Sequence, residues 1–211
     1  QDCGPPRRSV FDRTDRPCAD YESTDIFLLR RGRGIAGEKP ADRKNRGKDV
    51  SMKALIVYYS MGGNTEYAAK EIASRLGADL LRIEPVKAYP DKGFRKFFWG
   101  GKSAVMAEKP ELEEISVDLS EYDRIIFGFP VWASNFTPPL RTFIEEYSVG
   151  LKGKRFAAFA CQSGSGAQKA LGKLAKCIGI DGFEQTAVFI DPKAKQDANK
   201  DEQIEAFCNA L

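Results

Sequence analysis

The sequence predicts an α/β domain: a three-layer, doubly wound sheet of five parallel strands with helices on both faces. Five short apolar runs alternate with helical stretches along residues 53–211. The first and third runs suit buried strands, the first on both faces. The alternation joins successive strands by crossovers, which makes them parallel.

The first strand is Ala54-Leu55-Ile56-Val57-Tyr58-Tyr59, entered from Lys53. A helix follows over Asn64 to Leu76, with Ala68, Ile72 and Leu76 on one stripe and Gly77 as its stop. Leu80 to Ile83 is a shorter, more polar run, suited to a sheet edge. A long connection, 84–123, holds the basic aromatic stretch Phe94-Arg95-Lys96-Phe97-Phe98-Trp99 and then a helix to about Ala107. The third strand is Arg124 to Phe129. Thr137-Pro138-Pro139 opens the next helix, because proline has no N–H to leave unpaired in a first turn. Leu140, Phe143, Ile144 and Tyr147 form its apolar face. Arg155 to Cys161 is the fourth strand, and Ala167, Leu171, Leu174 and Ile178 stripe a helix ended by Gly179. Thr186 to Ile190 is the fifth strand, and Ile204, Phe207, Cys208 and Leu211 stripe the last helix.

Composition narrows the chemistry. Of 211 residues, 42% are hydrophobic and 30% charged, enough for a substantial core. No apolar run reaches the length of a membrane span, so no membrane association is expected. Histidine is absent. Ser-His-Asp and Cys-His nucleophile systems and His-ligated metal centres are thereby excluded. The cysteines stand at 3, 18, 161, 177 and 208 with no CxxC pair. An odd, scattered set fits a reducing compartment, and the expected location is the cytoplasm.

Residues 1–51 differ from the rest. They hold 12 basic and 9 acidic residues, leaving 21 of each in 52–211. Nine of those 12 bases are arginine, and only Ile26-Phe27-Leu28-Leu29 forms an apolar run. The segment reads as an Arg-rich extension. It is a basic arm for nucleic acid or anionic lipid, a disordered tail, or upstream sequence foreign to the native protein with Met52 as the true start. The codons for Lys48-Asp49 can spell a purine-rich ribosome-binding core just upstream of Met52, which supports the last reading. Residues 52–211 form the domain.

In open parallel sheets, ligands bind beyond the carboxyl ends of the strands, where the strand order reverses. The loops after strands one, three and four are therefore the candidate site. The first is Ser60-Met61-Gly62-Gly63-Asn64-Thr65. Its hydroxyls and glycines let the backbone wrap an anion at a helix start, unless it is simply a tight turn capped by Asn64 or Thr65. The loop has no lysine, so phosphate would be held by amides, hydroxyls and a helix dipole contributing about 0.3–2 kcal/mol. The second loop is Pro130-Val131-Trp132-Ala133-Ser134-Asn135-Phe136. Its Trp and Phe offer a flat apolar wall for a planar ring, or ordinary burial. The third, Gln162-Ser163-Gly164-Ser165-Gly166, offers N–H donors to a ring's polar edge, or is only a helix start needing small residues. The GxG within it lacks the third glycine and later acid of a dinucleotide fingerprint. Gly100-Gly101-Lys102-Ser103 lacks the first glycine and the preceding strand of a nucleotide P-loop. The 94–99 stretch is expected to pack its aromatics over the sheet or ligand with Arg95, Lys96 and Lys102 in water, so no nucleic-acid partner is expected.

A phosphate cradle, an aromatic wall and an amide-rich edge at one end of one sheet suit a phosphorylated planar cofactor. SMGGNT, YDRIIFGFPVWASNFTPPLRTFIEE and CQSGSG resemble the three cofactor loops of the flavodoxin family. The resemblance covers residues 53–211. It implies a 2-1-3-4-5 strand order and non-covalent FMN. It places the phosphate on Ser60, Met61, Gly62, Gly63, Asn64 and Thr65, and the isoalloxazine against Pro130, Val131, Trp132 and Ala133. The pyrimidine edge falls to Ser163, Gly164, Ser165 and Gly166. It further implies an electron carrier between a flavin reductase and a redox-protein acceptor. The alternative is an oxidoreductase passing electrons from NAD(P)H to a quinone or other small aromatic acceptor, and a third is a non-redox binding module on the same fold. Two departures bear on that choice. The domain is formally neutral, where carriers are acidic. Trp132-Ala133-Ser134 lacks the glycine that family carriers place beside flavin N5. Positive φ is costlier without glycine, so weaker stabilisation of one-electron-reduced flavin is expected. Thr65→Glu is expected to abolish FMN binding while leaving the fold intact.

Overall fold

A computed structural model describes residues 52–89, 106–193 and 198–211. The Arg-rich 1–51 segment, the 94–99 stretch and Gly100–Ser103 lie outside the described residues. So does the helix expected to end near Ala107, apart from Met106 and Ala107, which form a turn.

Five strands form one parallel sheet: β1 (Ala54–Tyr58), β2 (Asp79–Arg82), β3 (Arg124–Pro130), β4 (Arg155–Gln162) and β5 (Thr186–Ile190), in the order β2-β1-β3-β4-β5. The order reverses at β1, whose Ile56 pairs with Leu80 on one side and Ile126 on the other. Among the described residues four α-helices cover the faces: α1 (Asn64–Leu76), α2 (Pro138–Glu146), α3 (Ala167–Ile178) and α4 (Ala198–Asn209). The expected doubly wound architecture is the observed one.

Alternation along β1 and β3 sends successive side chains to opposite faces. Leu55, Val57, Ile125 and Phe127 pack with Leu140 and Phe143 of α2 and Leu171 and Leu174 of α3. Ile56, Tyr58 and Ile126 pack with Ala68 and Ile72 of α1 and Ile204 and Phe207 of α4. Both layers are buried, which is why the first, third and fourth runs read as continuously apolar. Gly128 in β3 makes room for its β4 neighbour: a Cβ there would stand 2.3 Å from the Phe159 ring.

Strand limits shift by one residue at some ends. Tyr59 leaves β1, yet its N–H still reaches Gly128 O at 3.1 Å. β2 begins at Asp79, and Ile83 beyond its end donates to Tyr58 O at 2.9 Å. Within the long connection Pro85 bridges Leu112 in antiparallel fashion, a pairing that no periodicity announced. The last helix stops at Asn209, and Leu211 packs beside it. Among the described residues no helix is long and apolar enough to cross a membrane.

Candidate functional site

The chain leaving β1 turns directly into α1. Gly63 takes the N-cap position at φ +84°, a left-handed conformation that favours glycine. Neither Asn64 nor Thr65 caps the helix. Ser60, buried, braces the turn instead: its Oγ accepts from the Glu66 N–H at 3.2 Å, and its carbonyl accepts from Arg82 at 3.2 Å. Among the described residues the backbone N–H groups of Met61 through Thr65 have no acceptor. Thr65 is 1% exposed, and its Oγ1 is buried with no hydrogen-bond partner. A buried hydroxyl left unpaired costs about 1–3 kcal/mol. Unspent amides at a helix start, where the dipole is positive, together with an orphaned hydroxyl, match the oxygens of a phosphate.

The loop after β3 is tied down at its root, where the Val131 N–H reaches Cys161 O at 2.8 Å. Trp132 and Asn135 exchange backbone hydrogen bonds of 3.0 and 2.9 Å across a two-residue turn. Ala133 and Ser134, the turn residues, sit at φ +49° and +56°. Left-handed geometry costs roughly 1–2 kcal/mol for a residue with a Cβ. Positive φ is therefore adopted here without glycine, at the cost expected of residues that carry a Cβ. Trp132 is half-buried, with its ring edge-on to Tyr59 at 5.7 Å and to Tyr89 at 5.2 Å. Phe136 does not join it: at 1% exposure it packs in the core against Phe129, with the Arg141 guanidinium over its other side. The aromatic wall expected from Trp and Phe is a Trp wall.

In the loop after β4, Gln162 Oε1 accepts from the Ala167 N–H at 3.0 Å and so caps α3. Gly166 is its N-cap at φ +105°, and a Cβ there would stand 2.4 Å from Ser134 Oγ and 3.0 Å from Ser134 Cα. Glycine at 166 is what lets the third- and fourth-strand loops touch. Ser163 lines the cleft described next, while Gly164 and Ser165 are exposed outside its lining.

These loops enclose a cleft of about 250 Å³ at the carboxyl end of the sheet. Met61, Gly62, Asn64 and Thr65 line one end, and Pro130, Val131, Trp132 and Ala133 another. Cys161, Gln162 and Ser163 complete the lining. Burial pushes the Cys161 thiol up to about 12, so it lines the cleft as an inert neutral group.

A fourth segment, which sequence reasoning passed over, closes the arrangement. Asp191, just beyond β5, accepts from Asn64 Nδ2 at 3.3 Å and from the Ser163 hydroxyl. The Lys193 N–H donates to Asn64 Oδ1 at 3.1 Å. Its ammonium lies 2.9 Å from where a Cβ on Gly63 would stand. The loop that has no lysine of its own carries one from 129 residues away. The signal was available: strand five also has a carboxyl end at the same rim, and Asp191-Pro192-Lys193 follows it.

The fold is that of a doubly wound α/β protein with a cleft at the strand-order reversal and unpaired amides at the start of α1. Comparison with known families makes the assignment specific. The flavodoxin family model matches residues 53–204, and the chain belongs to the flavodoxin family. Solved structures share the fold. A flavoprotein of Lactobacillus acidophilus, determined in complex with FMN, is 20% identical with a TM-score of 0.57, and the match covers 72% of this chain and 98% of that one. A Bacteroides eggerthii protein described as a flavoprotein is 23% identical with a TM-score of 0.59, covering 76% and 98% respectively. One from Bacteroides uniformis, similarly described, is 24% identical with a TM-score of 0.58, covering 73% and 98%.

Proposed function

We propose that residues 52–211 bind FMN and pass electrons between a flavin reductase and a redox-protein acceptor in the cytoplasm. The observation that carries this reading is the buried Thr65 hydroxyl, with no partner stronger than the Cys161 thiol, beside five unpaired N–H groups at the start of α1. FMN, when bound, supplies reversible electron transfer at its ring system. The chain supplies the rest. The amides of Met61 to Thr65 and the Thr65 hydroxyl hold the phosphate, while Ser60 and Gly63 set the turn that aims them. Trp132, braced edge-on by Tyr59 and Tyr89, and the apolar Val131 present a wall to the ring and keep water from that side. Ser163, and the backbone of Gly164 to Gly166 beyond it, border the opposite side and offer donors to the ring's polar edge. No side chain is asked to act as acid or base, consistent with a histidine-free chain.

A second reading, an FMN-dependent NAD(P)H:quinone-type oxidoreductase, is favoured by one observation. Residues 52–211 hold 21 basic and 21 acidic residues, so no net charge steers a basic protein partner. The test takes two steps. Purified protein should be yellow and release FMN on denaturation; a colourless protein that takes up no FMN would leave only a non-redox binding role. The holoprotein is then mixed anaerobically with NADPH or NADH. Slow bleaching that a flavin reductase accelerates supports the carrier, and rapid bleaching without one supports the enzyme.

A further inference from the structure

We propose that Lys193 makes the cleft selective for the phosphorylated flavin, acting as a cationic clasp laid over the phosphate cradle from the turn after β5. The inference rests on the FMN reading above and adds a charge that the first loop itself lacks.

Three observations converge. The ammonium of Lys193 stands beside Gly63, at the loop whose amides are unpaired, 2.9 Å from that residue's absent Cβ. Its backbone is registered there by the Asn64 side chain, which accepts from Lys193 N–H while donating to Asp191. The Asn64 amide is thus spent at both ends on holding the turn, which makes Asn64 a positioning residue. The other cations near the loop are committed: Arg82 to Glu66 and Glu84, and Lys70 to Glu66. Among the described residues Lys193 makes no salt bridge, although its charge is near enough to Glu66 to help hold that carboxylate ionised. Two carboxylates, Asp191 and Glu66, also border this corner. The second is held below the usual carboxylate range, chiefly by its Lys70 hydrogen bond. A dianion bound near these carboxylates gains from a neighbouring cation, and an ammonium–phosphate contact is charge-assisted. Glycine at 63 is favoured by its positive φ, and its missing Cβ leaves room for the end of the lysine side chain.

The test titrates flavin-stripped, full-length protein with FMN and, separately, with riboflavin, read by quenching of flavin fluorescence, in about 50 mM and about 500 mM NaCl. Lys193→Met should weaken FMN binding about tenfold at low salt, with the gap shrinking at high salt. Riboflavin binding should change by less than about twofold, and Lys193→Arg should keep most of the FMN affinity. Because the side chain is exposed, the methionine variant should unfold at the wild-type midpoint. An unchanged FMN affinity overturns the proposal. So does an equal loss for both flavins, which would mean that the lysine serves the ring or the fold. If the wild type binds neither flavin, the FMN reading itself fails and the clasp falls with it. If it binds FMN and Lys193→Met binds it equally well, only the clasp is lost.

Discussion

Replacing Thr65 by valine should make the flavin-free protein more stable and the flavin complex weaker. The two signs follow from one hydroxyl. Thr65 is 1% exposed and its Oγ1 has no hydrogen-bond partner. A buried unsatisfied polar group costs about 1–3 kcal/mol, and a methyl of similar shape removes that cost. The neighbouring Cys161 thiol is at best a weak partner, so the gain should lie near the lower limit, about 1 kcal/mol. Valine and threonine have similar helix propensities, so the start of α1 is not otherwise altered. For a domain of this size, 1 kcal/mol shifts the thermal midpoint by about 2–4 °C. When a phosphate is bound, the hydroxyl donates to an anion, a bond worth about 1.5–3 kcal/mol. Its loss should raise the Kd for FMN about tenfold or more. Urea unfolding of the flavin-free protein reads the first effect and fluorescence titration the second. A valine variant less stable than wild type would show that the hydroxyl is satisfied in the free protein. An unaltered FMN affinity would show that it does not face the phosphate. Thr65→Glu, the substitution suggested by sequence alone, separates these poorly: at so buried a position it forces a carboxylate into the core, so the fold would not stay intact.

Other expectations concern the neighbouring loops and the cleft floor. Gly166→Ala combines φ +105° with a Cβ 2.4 Å from Ser134 Oγ, so it should destabilise by about 2–4 kcal/mol and weaken FMN binding, measured by denaturant unfolding and titration. Wild-type stability would mean that the two loops do not touch. Ala133→Gly relieves a left-handed residue on an exposed turn and should stabilise by about 0.5–1 kcal/mol; a loss of stability would contradict the φ of +49°. Cys161, its thiol pushed up to about 12 by burial, should resist iodoacetamide at pH 8 and react after half-buried Cys177, as peptide mass mapping would reveal. The raised folded-state value also sets a sign. The Cys161 contribution to stability is fully present below the unfolded thiol's value near 9, and is lost as pH rises through about 12. A Cys161→Ala variant should therefore lose less stability than wild type across that alkaline window.

The sheet was legible in the sequence because its determinants are local. Continuous apolar runs such as Ala54–Tyr58 and residues 156–161 can be satisfied only between two layers, and the stripes on α1 and α3 supply those layers. Glycines 77 and 179 close these helices at positive φ, as expected of stops. The loops at the carboxyl ends could be located by rule, and Met61, Thr65, Trp132 and Ser163 do meet in one cleft. Helix capping was less legible. Asn64 has the chemistry of a cap, but the turn after β5 competes for its amide and wins both ends of it.

By itself, then, the amino-acid order determined which segments become strands and helices and where a ligand-binding rim must lie, because burial periodicity and backbone chemistry act between near neighbours. Only the tertiary structure decided that Phe136 turns into the core, that Ala133 and Ser134 accept left-handed geometry, and that Lys193 comes to rest over Gly63. Each of these depends on what occupies the adjacent space, and strands far apart in the chain bring that occupant to the same rim.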